Sequence, residues 1–586
     1  MKRRASQFAS GVVIALASFV IGAADLDAAT AFYLSPTGSD SNPGTISQPF
    51  LTLRKGFGAL APGDTLYIRG GTYLKQRVDV VTSGTAQAYK SVQNYPGETV
   101  VFDGQNTTDP NISGVSMKFS GVSYWNLSGI TMANWICAGI YLRDASHVNL
   151  SDLVIHDVNN PYEVSRNPYG SEGIMGEGST HISVFNTRIY SVGITSPPSR
   201  KRSRLDHAVY VGGGCSHWTF GHNVFHDTIG CGIHFYAGES HKKNGGSHSR
   251  VYNSILYNNA MSGVLLSDNT QSYVLNNTFC GNGLADIDLY SHATNTTIVN
   301  NIFGSRPGSS GHHVLWRNGT SQGNVVDYNS YRMASRAAAN GGASRTFAAW
   351  RQLGYEPHGV SGEPMFLDES RHDLRVRGAS NTLGTASAKY SPRFDHAYKV
   401  RQAPGQDMGA HDYNLAYDDF EGGSPSVHTP LNGTWRVVAD GSRVYRQSDA
   451  AGGAGTASFT GSTSWINYNV TSTVKVLAGS VRPHAGVIGR ATEALTHYYL
   501  AYLTPDGVQL WKNLGGAWTR LGASAGSYPV GNWHTVMLRC NGSNLLVSVD
   551  GAQKIVATDG SLSKGGCGFY AEGPTEFDEY FVAEIR

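Results

Sequence analysis

The sequence predicts an all-β chain in which a long parallel β-solenoid precedes a β-sandwich. Three observations carry that expectation. Glycine is abundant (71 of 586 residues) and only 15 % of the residues are charged, the balance of a turn-rich β protein. From about residue 115, strand-like segments recur with a period of about 23 residues, within the range of solenoid coils. After about residue 420 the repeat stops, and short alternating strands separated by turn residues take over, the pattern of a sandwich.

The N-terminus has the layout of an export signal. Lys2, Arg3 and Arg4 precede an apolar run from Gly11 to Ala24, and Ala29-Thr30-Ala31 fits a small-residue cleavage site before Phe32. The run is shorter than the roughly 20 residues a membrane-spanning helix needs. The expected division is therefore a signal peptide at 1–31, the solenoid at 32–413 and the sandwich at 414–586. The mature protein is expected outside the cytoplasm of a bacterium, as a soluble monomer without a membrane partner. A net charge of +2 gives no global field to attract nucleic acid. Of the six cysteines, Cys137, Cys215, Cys231 and Cys280 fall in the repeat and are expected as buried free thiols. Cys540 and Cys567 fall in the sandwich, where an exported setting permits one disulfide.

Residues 32–75 alternate strand and turn signals around one short helical stretch, Leu51 to Leu60. Together with residues 93–105, this region resembles the N-terminal part of secreted right-handed parallel β-helix proteins, polysaccharide lyases among them. The resemblance implies a helix that plugs the open end of the solenoid and hides the apolar face of its first coil.

Two strand families repeat behind this cap. One comprises GIYLRD (139–144), GIMGEG (173–178), AVYVGG (208–213), GIHFYA (232–237), GVLLSD (263–268) and DIDLYS (286–291). Its second residues are apolar and should point inward, so period-two alternation turns Tyr141, Met175, Tyr210, His234, Leu265 and Asp288 outward. In the other family Asn253, Asn276 and Asn300 share one position, which predicts an asparagine ladder. The solenoid is expected to end near Gln406-Asp407-Met408-Gly409-Ala410-His411, followed by a linker.

The candidate chemistry gathers on three adjacent coils of the first family. Glu172, Asp206 and His207 lie just before its strands, Tyr210 and His234 within them, and Glu177 and Tyr236 two residues further along, with Arg143 at that same position on the preceding coil. Insertions interrupt the repeat around the same coils, and loops raised on a rigid scaffold are where binding usually sits. Two of these insertions are basic, one with Lys201, Arg202 and Arg204 and the other with Lys242 and Lys243. The local excess points to an anionic polysaccharide.

One reading of this set is β-elimination on a uronate-containing polymer, which needs cations at the carboxylate, a base for the C5 proton and an acid for the leaving oxygen. His207 or His234 would be the base, Tyr210 or Tyr236 the acid, and Lys201, Arg202, Arg204, Lys242, Arg143 and Glu177 would bind substrate. A second reading is glycoside hydrolysis through Glu172 and Asp206 as paired carboxylates. A third is a carbohydrate-binding surface protein without catalysis. The aspartate cluster of calcium-dependent pectate lyases, and the literal motifs of polygalacturonase-like hydrolases, are missing from the sequence.

The C-terminal order of strands resembles the concanavalin-like jelly rolls that serve as carbohydrate-binding modules. The resemblance implies a targeting role, with a structural calcium at Asp418, Asp419 and Asp578 where first and last strands meet. Arg490, Tyr498, Tyr499, Trp511 and Trp518 are its candidate sugar contacts.

Overall fold

The computed structural model describes residues 29–106, 114–159, 170–193, 205–236, 245–306, 311–317, 322–397, 401, 406–413, 416–418, 420, 425, 427–449, 455–480 and 482–585. The expected signal peptide thus lies outside the described residues up to residue 28. Among the described residues no helix is long and apolar enough to cross a membrane.

Each coil of the solenoid visits three parallel sheets in turn. The groove sheet runs through Val115–Ser120, Ala138–Arg143, Glu172–Glu177, His207–Val211, Ile233–Phe235, Ser262–Ser267, Ala285–Tyr290 and His312–Trp316. The strap sheet contains Ser146–Ser151, Thr180–Phe185, Thr219–Gly221, Arg250–Tyr252, Tyr273–Leu275 and Thr297–Val299. The third sheet contains Val154–Val158, Arg188–Val192, Val224–Thr228, Ile255–Tyr257, Thr278–Cys280 and Ile302–Phe303.

Parallel pairing in constant register is what converts the sequence repeat into columns. Ile140, Ile174, Val209, Ile233, Val264, Ile287 and Val314 stand in one register column and are all fully buried. Neighbouring strands lie about 4.8 Å apart, so these branched side chains stack as a continuous core, each burial contributing about 1.5–3 kcal/mol. The cap helix spans Leu53–Ala59, with the Thr52 side chain accepting from the Lys55 N–H at 3.2 Å. Its Phe57 stacks on Trp125 at 5.8 Å. Gly56 lets the helix approach the first coil, since a Cβ there would meet Leu66 at 2.8 Å and Leu34 at 2.9 Å.

The inner polar ladder lies one residue beyond the predicted column. Asn277 donates to Asn301, Asn301 to Asn329, and Asn329 to Glu356, at 3.0, 2.9 and 2.7 Å. The same amides cap carbonyls of Val251, Val274 and Ile298. Asn253, Asn276 and Asn300 adopt left-handed backbone, which turns them outward, and only Asn300 and Asn276 bond each other, at 3.2 Å. Their other bonds hold the chain that returns after the solenoid. Asn253 donates to the Phe394 carbonyl at 2.6 Å, and Asn300 donates to the Ser387 carbonyl and the Ser391 hydroxyl, both at 3.0 Å.

That return segment corrects the predicted end of the solenoid. The last parallel strand is Val360–Ser361, whereas Met408 and Ala410 fold back onto Ile255, Cys280 and Ile302 of the third sheet. Gly409 donates to the Asn300 carbonyl at 2.7 Å. A buried Arg401–Asp412 ion pair at 2.9 Å secures the segment, with Arg401 also donating to Asn253.

Histidines stack on the outside of the turns. His147, His181, His217 and His248 follow one another at ring-centroid distances of 4.7, 4.7 and 4.9 Å. Burial and neighbouring imidazoles hold His181 and His217 below the usual histidine value.

The C-terminal region is a two-sheet antiparallel sandwich whose first strand, Ala416–Asp418, pairs with its last, Thr575–Glu584. Tyr468, Val487, Leu510, Leu538, Phe569 and Phe577 fill its core. Cys540 and Cys567 sit in that core as free thiols, not as the disulfide the export setting permits. Cys215, Cys231 and Cys280 of the solenoid are buried free thiols as well, and Cys137 is half-buried.

Candidate active site

The outward column of the groove sheet reads Tyr141, Met175, Tyr210, His234, Leu265 and Asp288 in continuous register. Two adjoining cavities open on it and share Leu205 and Tyr210. The upper one, of about 430 Å³, holds Tyr141, Arg143, Glu172 and Glu177. The lower one, of about 710 Å³, holds His207, His234, Tyr236, Tyr290 and Arg317. Period-two alternation is thus obeyed, but Leu265 and Asp288 are buried rather than exposed.

His207 and His234 form one hydrogen-bonded unit. The Cys231 backbone N–H donates to His207 Nδ1 at 2.9 Å, and His207 Nε2 lies 2.9 Å from His234 Nδ1. An amide N–H cannot accept, so neutral His207 carries its proton on Nε2 and donates it to His234 Nδ1. His234 then carries its own proton on Nε2. Both Nδ1 lone pairs of the unit are engaged, and taking up a proton requires breaking one of these bonds. Burial, reinforced by His207, holds the His234 imidazole well below its usual value. At neutral pH His234 is a neutral donor on the groove wall.

Tyr210 packs edge-on to His234 with centroids 5.5 Å apart, and Tyr236 lies 5.4 Å from the same ring. Burial, and the Glu172 carboxyl after it, raise the Tyr210 phenol, so it stays protonated. Glu172 stands beside His207 in register. Burial and then the neighbouring Asp206 raise its carboxyl well above the ordinary 4.5, which keeps it uncharged under conditions where an exposed glutamate ionises. Asp206 is wholly buried beneath the groove and accepts from the Ser171 N–H at 2.7 Å. Glu177 is exposed and accepts from the Tyr141 hydroxyl at 2.6 Å. Arg143 lines the upper cavity, 3.8 Å from Asp144. Lys201, Arg202, Arg204 and Lys242 lie outside the described residues.

One groove residue, Arg317, escaped the sequence reasoning. Arg317 forms a two-pronged bond to Asp288, with contacts of 3.0 and 2.6 Å, and places a cation over Tyr290 at 5.5 Å. Burial raises the Asp288 carboxyl even so. A signal existed: an aspartate predicted to face outward between apolar neighbours needs a cation from an adjacent coil.

In the sandwich, Asp418 accepts from the Phe420 N–H at 2.9 Å, and Asp578 accepts from the Ser442 hydroxyl at 3.0 Å and the Glu579 N–H at 2.8 Å. Asp419 lies outside the described residues. Among the described residues no group of three His, Cys, Asp or Glu side chains converges on a cation position. Of the candidate sugar contacts, Arg490 is buried with its guanidinium on the carbonyls of Ile466, Gly542 and Leu562. Tyr498 and Tyr499 are buried as well, whereas Trp518 is exposed.

Residues 32–190 match the family described as "Pel9A-like, right handed beta helix region", and residues 172–344 match the right handed beta helix region. The solenoid is a right-handed parallel β-helix of that description, as the sequence resemblance implied. Pectate lyase PEL9 of Emericella nidulans is 30 % identical over 166 residues, covering 26 % of this chain and 37 % of that protein. The chain thus spans little more than a third of that relative's length. Among solved structures, pectate lyase Pel9A is similar with a TM-score of 0.47 at 14 % identity, covering 66 % of this chain and 97 % of that one. The carbohydrate binding module CBM66 from Bacillus subtilis is similar with a TM-score of 0.25 at 19 % identity, covering 27 % of this chain and 95 % of that module.

Proposed function

We propose that this groove cleaves an acidic, uronate-containing polysaccharide by β-elimination. The observation that carries the reading is the His207–His234 unit. It presents a neutral N–H donor to the groove beside a phenol kept protonated. Such a donor stabilises the charge that builds on the uronate carboxylate as the C5 proton leaves, without itself exchanging a proton.

Tyr236, in its phenolate form, takes the C5 proton. The C5–H electrons form the C4–C5 double bond, the C4–O bond breaks, and Tyr210 protonates the departing oxygen. Tyr236 then gives its proton to water and Tyr210 regains one, which restores the starting phenolate and phenol. Arg143 and Glu177 bind neighbouring sugars in the upper cavity, and Lys201, Arg202, Arg204 and Lys242 supply the cations for the carboxylate. The sandwich tethers the catalytic solenoid to polymer, which raises local substrate concentration. The protein acts outside the cell on this reading, in keeping with the pectate lyase among its relatives.

The hydrolytic alternative has one observation in its favour, since an uncharged Glu172 is what a general acid requires. Its second carboxylate would be Asp206, which lies beneath the groove with no exposed surface, and that disfavours attack on a sugar.

The test is ultraviolet absorbance of unsaturated uronide ends during incubation with a panel of acidic polysaccharides. His234→Gln, which keeps an N–H donor but cannot take a proton, is expected to retain measurable turnover, whereas His234→Ala loses it. Equal loss in both variants would make His234 the base. New reducing ends without absorbance, abolished by Glu172→Gln, would establish hydrolysis.

A further inference from the structure

A second groove lies on the strap sheet, away from the candidate active site, with a volume of about 560 Å³. One wall is the sheet itself, at Arg250, Tyr252 and Tyr273, and the other is the return segment from Lys389 to Phe394. The wall is built, because Asn300 fixes Ser387 and Ser391 while Asn253 fixes Phe394. His396 extends the anchor, with its ring 2.7 Å from the Asn253 carbonyl.

The groove's charge is one-sided. Arg250, Lys389 and Arg393 line it, and among the described residues no aspartate or glutamate does. Each cation is exposed and rests against an aromatic ring, Arg250 on Tyr273 at 5.6 Å, Lys389 on Tyr390 at 4.8 Å and Arg393 on Phe394 at 5.1 Å. Elsewhere on the solenoid, arginines such as Arg69, Arg317, Arg332 and Arg375 meet carboxylates. Tyr273 and Phe394 are each 38 % exposed. Cations free to bind carboxylate, flanked by flat apolar faces in a fixed cleft, match a ligand that alternates negative charge with the hydrophobic faces of sugar rings.

We infer that this groove is a non-catalytic binding site for an acidic polysaccharide chain, holding uronate carboxylates on Arg250, Lys389 and Arg393 and sugar rings on Tyr273 and Phe394. It rests on the proposed function for the identity of the polymer. Bound at two places on one solenoid, a long chain stays near the active groove between cleavages, which a short oligosaccharide cannot do.

The test reads binding and turnover separately, on the full chain. Lys389 acetylation is measured by mass spectrometry with oligogalacturonate, oligoalginate, a neutral xylo-oligosaccharide or single-stranded oligo-dT present. Protection by an acidic oligosaccharide but not by the neutral one is expected. Arg250→Ala combined with Arg393→Ala should weaken that protection about tenfold or more, the scale of two lost charge-assisted contacts. Turnover of short substrate should be unchanged in the same variant, while turnover of long polymer falls. Lys389 modified equally under all conditions, or protected by oligo-dT alone, overturns the inference. Protection without any unsaturated product keeps this groove and overturns the elimination instead.

Discussion

The two grooves occupy neighbouring sheets of the same coils, yet their ionisable groups are housed in opposite ways. On the groove sheet Glu172, Asp206 and His207 are buried, and their influence on one another and on His234 and Tyr210 sets which forms are charged. On the strap sheet and the return segment Arg250, Lys389 and Arg393 stand in solvent, each against an aromatic ring. Desolvation fixes protonation and orients donors, which bond making and breaking require. Exposure leaves full charges available at little desolvation cost, which suits reversible holding of a polymer. One scaffold supports both because each sheet turns a separate outward column to solvent.

The strongest way to sharpen this contrast is Tyr210→Phe, expected to lower turnover by about 10²–10⁴-fold without changing Lys389 protection by oligogalacturonate. Loss of both would mean that the grooves are one site. Next in size is Asn301→Ala, which removes bonds to Asn277, Asn329 and the Val274 carbonyl together. Orphaned buried groups cost about 1–3 kcal/mol each, so denaturant unfolding should show a loss of about 3 kcal/mol or more, damaging both grooves alike. Asn253→Ala should instead spare the active groove and loosen the strap, the part of the return segment from 387 to 396, seen as faster hydrogen exchange at residues 391–396.

Smaller effects follow from titration. Glu172 has a folded value above its unfolded one of about 4.5, so the folded state binds the extra proton and stability falls as pH rises through the interval between the two values. Glu172→Gln should flatten that fall and raise the melting temperature at alkaline pH. The smallest expected change lies in the outer histidine stack. His181 and His217 have lowered values, so their contribution is present above the ordinary histidine range and lost on acidification. His217→Asn should slightly reduce the drop in melting temperature between neutral and acidic pH.

Much of this architecture was legible because it is periodic. Alternation alone separated buried Ile174 and Val209 from outward Met175 and Tyr210, and the first strand family lies where the repeat placed it, whereas segments of the second, such as 252–257, straddle the turn between Arg250–Tyr252 and Ile255–Tyr257. The asparagine ladder was missed by one position, since Asn276-Asn277 and Asn300-Asn301 each put two consecutive asparagines in a turn and only the backbone hand decides which faces inward. The strap was illegible for a different reason: Asn253 and Phe394 are 141 positions apart, and segment 387–396 carries no periodicity to betray its partner. Nor could letters reveal the protonation of His234, which depends on a backbone N–H at Cys231. Arg490 and Tyr499 looked like sugar contacts because strand aromatics and cations read alike whether they face a ligand or a core.

The inner ladder uses the same bonds from Asn277 to Glu356, and nothing in it depends on how many coils precede or follow. A whole coil beyond Asn301 can therefore be duplicated or lost by recombination between repeats with its interior chemistry preserved. The strap has no such freedom, because it must reach Asn253 and Asn300 at a fixed separation. Groove length below the strap is thus open to evolutionary drift, while the span between the strap's two anchors is held constant.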